Sequence, residues 1–396
     1  MNYPAYDPSW KSWGRITSLH VQGPHLVIGT DQGLEWKVVY REDYEVLKLF
    51  DWVALTQKDE VILVALYQKS KIASEASRVH LKNWMNFTKS IRLFFENQKF
   101  LELSTPTLVL SAGTEPSLDH IEVLMSLKGK KQKRFLPTSP ELYLKKALTL
   151  GFSKIFEIAK VYRDGEVTRL HQPEFWMLEW YRSFSNLEVI QTDLVKLISH
   201  VNEKIPITIR PRTVKCYSVA QLFKKFLNVE LTPDWTREQY SQLCSQHGLR
   251  ITDDFKIDDL FFILMLEKIE PQFNSQELTF VENYPPFQAA LARKNSQGWA
   301  ERFELYWQGM ELANAFHELN DPKEQRTRAI EDLQKRALRQ GFQFDGVTGL
   351  DEEFFQSLES GLPPSAGIAV GLDRLFMALF GIDDIKKTRL FSVTGT

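Results

Sequence analysis

Three stretches of this chain gather side chains suited to a charged, phosphorylated substrate. The first is Arg163–Tyr181, RDGEVTRLHQPEFWMLEWY. KIFEIAKVY precedes it and WMLEWYRSF closes it, both rich in β-branched and aromatic residues. The pattern predicts two antiparallel strands joined by a loop longer than a tight hairpin. Such a hairpin would bring Arg163, Arg169 and His171 together, with Phe175 close behind. A guanidinium pairs with phosphate oxygens through parallel hydrogen bonds, and an aromatic face stacks on a base. Taken alone, the loop is better explained as a solvated turn with surface salt bridges.

The second stretch, GIAVGLDRLFMALFG (Gly367–Gly381), reads as a strand of small residues turning into a helix. Gly371 is expected to permit close backbone approach, and Arg374, at the start of the apolar helix, makes a second phosphate clamp. A tightly packed strand–helix joint with a structural arginine is the plain alternative. The third stretch is RFELYWQGMELANAFHELND, with Glu304, Glu311 and Glu318 seven apart. Along one strand that spacing alternates faces, whereas across a strand and a following turn the three converge. Carboxylates so placed can hold Mg²⁺ against nucleotide phosphates or pair with a cationic substrate. Heptad-spaced glutamates on a helix surface are the alternative, which the intervening aromatics fit poorly. Upstream, FLPTSPELYLKKAL puts Ser139 and Glu141 at a helix start, where a carboxylate caps or, in a pocket, holds an ammonium.

The elements that must position these residues can be read in outline. Residues 1–75 suggest a small all-β unit with strands WGRITSLHV, HLVIGT, LEWKVVY, DWVALTQ and EVILVALYQ, enough for an OB-like or SH3-like barrel. Trp10, Trp13, Trp36 and Trp52 could stack bases there, though core positions suit most of them. From Arg78 to Lys99, Leu81, Trp84, Phe87, Ile91, Phe94 and Phe95 recur at helical spacing, and FLELSTPTL follows as a strand ending at Pro106. GKKQKR (129–134) reads as an exposed basic loop, and 185–205 as an amphipathic helix with a Ser/Asn cap. Residues 210–270 suggest an α-rich insertion with helices at 219–227, 237–247 and 257–269. Asp321–Gly341 is a charged helix with Asp321 as cap, Pro322 in its first turn and Gly341 at its end.

Lysine plus arginine number 49 and aspartate plus glutamate 51, a balance that argues against a surface gripping nucleic acid throughout. Cys216 and Cys244 stand in no metal-ligand spacing. MNYPAYDPSW lacks the pattern of a secretory leader and no apolar run reaches spanning length, so a soluble cytoplasmic protein is expected.

The order helix–strand–Pro, SPE, R…HQPEF.MLEWYR, ELANAFHEL and GIAVGLDR resembles the class II lysyl-tRNA synthetases over about residues 78–396. The wording is nearest to the truncated members of that family, which attach β-lysine to a lysine of translation elongation factor P. The resemblance implies an α+β fold, a class II aminoacyl-tRNA synthetase antiparallel sheet flanked by helices and preceded here by the small OB-like domain. It implies a homodimer built on the helix–strand–proline unit. It also implies ATP and Mg²⁺, with an aminoacyl-adenylate formed from lysine or β-lysine and passed to elongation factor P. Arg163 would meet the α-phosphate, Phe175 would stack on adenine, and Arg374 would meet the γ-phosphate. Asp164, Gln172, Glu311, Leu312 and Gly371 would fall at nucleotide-contacting positions, and Glu304 and Glu311 would bind magnesium. Ser139, Glu141, Tyr181, Glu318 and Ala369 would surround the amino acid. At Ala369 the synthetases have glycine, and the added methyl is expected to disfavour an α-ammonium, an effect of about 1–3 kcal/mol. The family's Arg-x-Glu is here Arg163-Asp164-Gly165, so either Asp164 or Glu166 replaces the missing glutamate or a nucleotide contact is lost. Two alternatives stay open. One is a compact lysyl-tRNA synthetase, with tRNA as acceptor; the other is a non-catalytic binding paralogue. The N-terminal β unit would then bind tRNA, dock the acceptor protein or serve structure alone.

Overall fold

Two compact units, 1–78 and 79–396, make up the chain in a computed structural model. It describes residues 12–30, 32–41, 44–45, 47, 52–58, 61–68, 75–346 and 349–389. In the first unit, β1 (Ser12–Gln22), β2 (His25–Thr30), β3 (Glu35–Val39), β4 (Trp52–Lys58) and β5 (Val61–Gln68) form one antiparallel sheet in the order β3-β2-β1-β4-β5. Gly23, at φ +59, makes the turn between β1 and β2. Ile16, Leu26, Ile28, Trp36, Val38 and Val53 pack into its core. Trp36 is therefore a core residue. Trp10 lies outside the described residues, as do the side chains of Trp13 and Trp52.

The second unit is organised by an eight-stranded sheet. In chain order its elements are α1 (Glu75–Asn97), β6 (Leu101–Glu102), β7 (Glu122–Leu127), β8 (Lys130–Phe135), α2 (Glu141–Thr149), β9 (Lys154–Tyr162) and β10 (Glu174–Ser183). Then come α3 (Leu187–Lys204), β11 (Thr213–Ser218), α4 (Val219–Leu227), α5 (Arg237–Gln246), α6 (Ile257–Leu264) and β12 (Glu277–Tyr284). The last are β13 (Ala300–Trp307), β14 (Met310–His317), α7 (Pro322–Gln340), α8 (Glu352–Glu359), β15 (Ser365–Gly371) and α9 (Leu372–Phe380). The sheet order is β11-β12-β13-β14-β15-β10-β9-β6, antiparallel except at its edges, where β11 runs parallel to β12 and β6 to β9. One face of this sheet buries Leu178, Trp180, Phe303, Leu305, Ala366 and Ile368 against α1, α3 and α9. Caps explain the helix boundaries. Asn186 accepts from Val189 N at the head of α3, Asp321 accepts from Lys323 N and Glu324 N ahead of Pro322 in α7, and Gly341 ends α7 at φ +75.

Two expectations change and one is extended. GKKQKR is not a loop, because Lys130–Phe135 pairs along its length with Glu122–Leu127 in a separate hairpin. The β8 strand itself, KKQKRF, has lysines at 130, 131 and 133 and no alternating apolar residues, so periodicity could not reveal it. The strand expected in FLELSTPTL shrinks to the two residues of β6. The three helices expected in 210–270 form, and β11 ahead of them extends the main sheet. The helices bury Phe223, Tyr240, Leu243 and Phe261 in a core of their own, together with Val281 and Tyr284 of β12.

Candidate active site

Strand alternation carries the chemistry to the sheet's second face. Along β10, Phe175, Met177, Glu179 and Tyr181 line one cavity of about 1200 Å³, while Leu178 and Trp180 face the core. Gly367, Ala369 and Gly371 of β15 line the same cavity, with Glu311 and Asn314 of β14 and Arg302 and Glu304 of β13. Register sets the neighbours. Glu179 pairs with Ala369, Ala369 with Asn314, and Asn314 with Glu304, so the Ala369 methyl stands in the middle of a polar row.

Arg163, at the end of β9, lies with its guanidinium 5.1 Å from the Phe175 ring centroid, and its buried Nε has no hydrogen-bond partner. Arg374, in the first turn of α9, donates to the Glu311 carbonyl at 2.9 Å and to His171 Nε2. The Thr168 hydroxyl meets the other ring nitrogen of His171 at 2.8 Å. Burial and the Arg374 charge hold His171 below the usual imidazole range. Gln172 is buried and lines the cavity. Asp164 is exposed, outside the cavity lining, and accepts from Gly165 N in a turn where Gly165 has φ +75. Glu166 takes the inward place, lining the cavity 4.0 Å from Arg163 Nη1. The one-residue shift in the motif thus keeps a carboxylate beside Arg163. Arg169 leaves the group altogether, bonded to the Asp383 carbonyl at 3.1 Å.

Glu304 and Glu311 come together as neighbours on the hairpin of β13 and β14, but they are not equivalent. Glu304 Oε1 accepts from Arg302, and its Oε2 accepts from the Tyr284 and Tyr306 hydroxyls at 2.6 and 2.5 Å. Its lone pairs are largely taken by protein donors. Glu311 has no such set, and burial together with the Glu304 charge pushes its pKa up to about 7. A carboxylate not taken up by such donors suits a divalent cation, whereas Glu304 in this arrangement suits one poorly. Among the described residues no three His, Cys, Asp or Glu side chains form a ready metal cluster. Leu312 is buried in the core, so any contact it makes to a ligand runs through its backbone.

The carboxylate group lies around α2. Ser139 Oγ donates to Glu179 Oε1 at 2.6 Å and accepts from Glu141 N at 2.9 Å. The Tyr181 hydroxyl donates to Glu179 Oε2 at 3.2 Å. Burial first, then the Glu141 charge, raises Glu179 well above the usual carboxylate range. Lys145 is buried with its ammonium 2.6 Å from both Glu141 and Glu318. Glu318 is pushed up to about 8, chiefly by burial. Close backbone approach occurs at Gly367 rather than Gly371. A Cβ on Gly367 would lie 2.2 Å from the Tyr181 ring and 2.6 Å from Glu318 Oε1, while one on Gly371 would meet nothing nearer than 3.9 Å.

Residues 65–395 match the family model described as tRNA synthetases class II (D, K and N). The chain belongs to this class II synthetase family. The elongation factor P–(R)-β-lysine ligase of Haemophilus ducreyi is 34% identical over 307 residues, 76% of this chain and 90% of that protein. The ligase of the same name from Klebsiella pneumoniae is 34% identical over 310 residues, 76% of this chain and 91% of that protein. The one from Proteus mirabilis is 32% identical over 325 residues, 80% and 96% of the two chains. Within the class II synthetase frame, sequence reasoning singled out Arg163 and Arg374 and, of the carboxylates lining the cavity, Glu141, Glu304 and Glu311. It passed over Glu179, Lys145, Arg302 and Asn314. Glu179 was within reach, since it shares the strand parity of Phe175 and Tyr181. Lys145 read as one more helix-surface lysine, and only tertiary burial distinguishes it.

Proposed function

We propose that this protein is an ATP-dependent ligase that activates a diamino acid of the lysine or β-lysine type as its adenylate and transfers it to a lysine of elongation factor P. The observation that carries the reading is that Glu141, Glu179 and Tyr181 line the same cavity as Arg163, His171 and Arg374, with Glu318 buried beside them against Lys145. Glu141 and Glu318 share Lys145, while Glu179 is held by Ser139 and Tyr181 rather than by a cation, so the acidic bay suits a substrate with two ammonium groups. The cations suit a nucleoside triphosphate. The acceptor and the β-isomer are argued from the relatives, which are named as ligases of (R)-β-lysine and elongation factor P.

In this reading the substrate carboxylate attacks the α-phosphorus in line, the bond to the β-phosphate oxygen breaks, and pyrophosphate leaves. Arg163 steadies charge at the α-phosphate, Arg374 with His171 faces the leaving phosphates, and Phe175 stacks on the base. Glu311 would hold magnesium, which when bound would supply positive charge against the phosphates, while Glu304 is held back by Arg302 and the two tyrosines. The acceptor lysine's neutral amine then attacks the adenylate carbonyl, AMP leaves, and the amine gives up its proton as the amide forms. Positioning and electrostatics do the work, with no protein nucleophile. The Ala369 methyl, set between Glu179 and Asn314, narrows the place of an α-ammonium and favours one shifted by a carbon. An acceptor in the translation machinery puts the reaction in the cytoplasm.

ATP–pyrophosphate exchange with lysine, both β-lysine enantiomers and a panel of other amino acids tests the reading. Exchange strongest with a β-lysine is expected, and silence from folded protein with every amino acid would sink it. A second reading, a compact lysyl-tRNA synthetase, is favoured by the five-stranded unit, most of which precedes the family match. Charging of tRNA with the factor left unmodified would select it. Homodimerisation is proposed through α1 and β6, where Met85, Leu93 and Leu101 stay exposed at 63%, 40% and 46%. A monomeric mass in light scattering at micromolar concentration would exclude it.

A further inference from the structure

Glu115 lines the cavity, yet none of the roles above uses it. It stands in the loop between β6 and β7, which is fastened on several sides. Ser111 Oγ donates to the Gly349 carbonyl at 2.5 Å, and Thr138 Oγ1 to the Ala112 carbonyl at 2.6 Å. Arg336, from α7, donates to the carbonyls of Gly113 at 3.1 Å and Glu115 at 2.6 Å. The arginine thus grips the loop's backbone and leaves the Glu115 carboxylate free of a bidentate pair. Gly113 has φ +116, and a Cβ there would lie 2.5 Å from Glu115 Oε2, so the glycine makes room for the carboxylate. That Oε2 is shut off from solvent and has no hydrogen-bond partner. A buried acceptor left unmade is costly, and such groups in a native cavity mark a place a ligand fills.

Its surroundings say which part of a ligand that is. Burial raises the Glu115 pKa, the Glu141 charge raises it further, and Arg336 and Arg163 oppose. Glu115 shares one cavity lining with Glu141 of the ammonium bay and with Arg163, the arginine assigned to the α-phosphate. The substrate's carboxyl must lie between those two. We propose that Glu115 receives the substrate ammonium nearest the reacting carboxyl, while Glu179, Tyr181 and Glu318 take the distal one. The inference rests on the diamino acid reading of the site. It makes Glu115 a residue of specificity, selecting substrates that carry a second cation close to the carboxylate.

Exchange measured with (R)-β-lysine and with 6-aminohexanoic acid tests this, because the second compound is the same chain without the ammonium near the carboxyl. Glu115→Gln keeps shape and hydrogen-bonding capacity but removes the charge. It is expected to lower kcat/KM for β-lysine about ten- to a hundred-fold, mainly through KM, as for losing one charge-assisted hydrogen bond. The values for 6-aminohexanoic acid and the KM for ATP stay as in the wild type, so the preference for the diamino acid collapses. Glu115→Asp, which keeps the charge, retains part of that preference. Equal losses with both substrates would mean that Glu115 only holds the loop, and an unchanged preference would mean that it touches no ammonium. Either result overturns the inference while the wild-type protein still exchanges. A wild-type protein silent with every diamino acid removes the underlying reading and this one together.

Discussion

At the scale of single residues, the cavity is a balance of buried charge. Lys145 is the counter-charge for two carboxylates, and breaking a buried pair leaves an uncompensated ion. Lys145→Met is expected to destabilise the protein by about 3–5 kcal/mol, read from urea unfolding midpoints. A loss under ~1 kcal/mol would show that Glu141 and Glu318 find other partners. Glu311 gives a pH signature. Its carboxyl binds a proton more tightly in the folded chain, up to about 7, than in the unfolded one. Between those values the folded state holds more protons, so its contribution to stability is present at low pH and falls as pH rises through about 7. Glu311→Gln should abolish that fall. At pH 8 the variant should be more stable than wild type by on the order of 1–3 kcal/mol, and near pH 4 the two should converge. Parallel stability curves across that range would rule the shift out.

Among the elements, β15 sets the tightest constraint. It lies between β14 and β10, and its alternate residues are small on the cavity face because Tyr181 and Glu318 occupy the space above Gly367. Gly367→Ala forces an aromatic ring bounded by packed strands to move, a cost of about 1–3 kcal/mol by overpacking. It should also disturb the Tyr181–Glu179 hydrogen bond and reduce exchange. Gly371→Ala meets only ordinary contacts and should melt within about 0.5 kcal/mol of wild type. Thermal unfolding of the two variants side by side checks the contrast, and equal losses would contradict it. The element-level surprise, the β7–β8 ribbon, has a physical cause. Its pairing is satisfied by backbone hydrogen bonds while the lysines of β8 face water, so that strand carries no period-two apolar signal.

For the whole molecule, the division at residues 78 and 79 and the family match from residue 65 make a separable catalytic unit testable. A chain starting at residue 75, which keeps α1 intact, should fold and retain amino-acid-dependent exchange within a few-fold of the full protein. Loss of cooperative unfolding in that chain would show that the β unit is part of the catalytic fold. The sequence by itself determined most of the elements, and the resemblance it carries named Arg163, Phe175, Glu141, Tyr181, Glu318 and Arg374 as one candidate group. Strand alternation, helix caps and glycine turns are local, and local patterns survive in a linear string. Only the tertiary structure decided how those residues are used. The row Glu179–Ala369–Asn314–Glu304 joins four strands through register. Arg302 and two tyrosines engage Glu304, while Glu311, without such donors, is pushed up by burial and the Glu304 charge. Lys145 becomes a buried ion only because Glu318 arrives beside it from β14's end. Burial and cross-strand pairing depend on residues far apart in the chain, and these set the charge that each carboxylate carries.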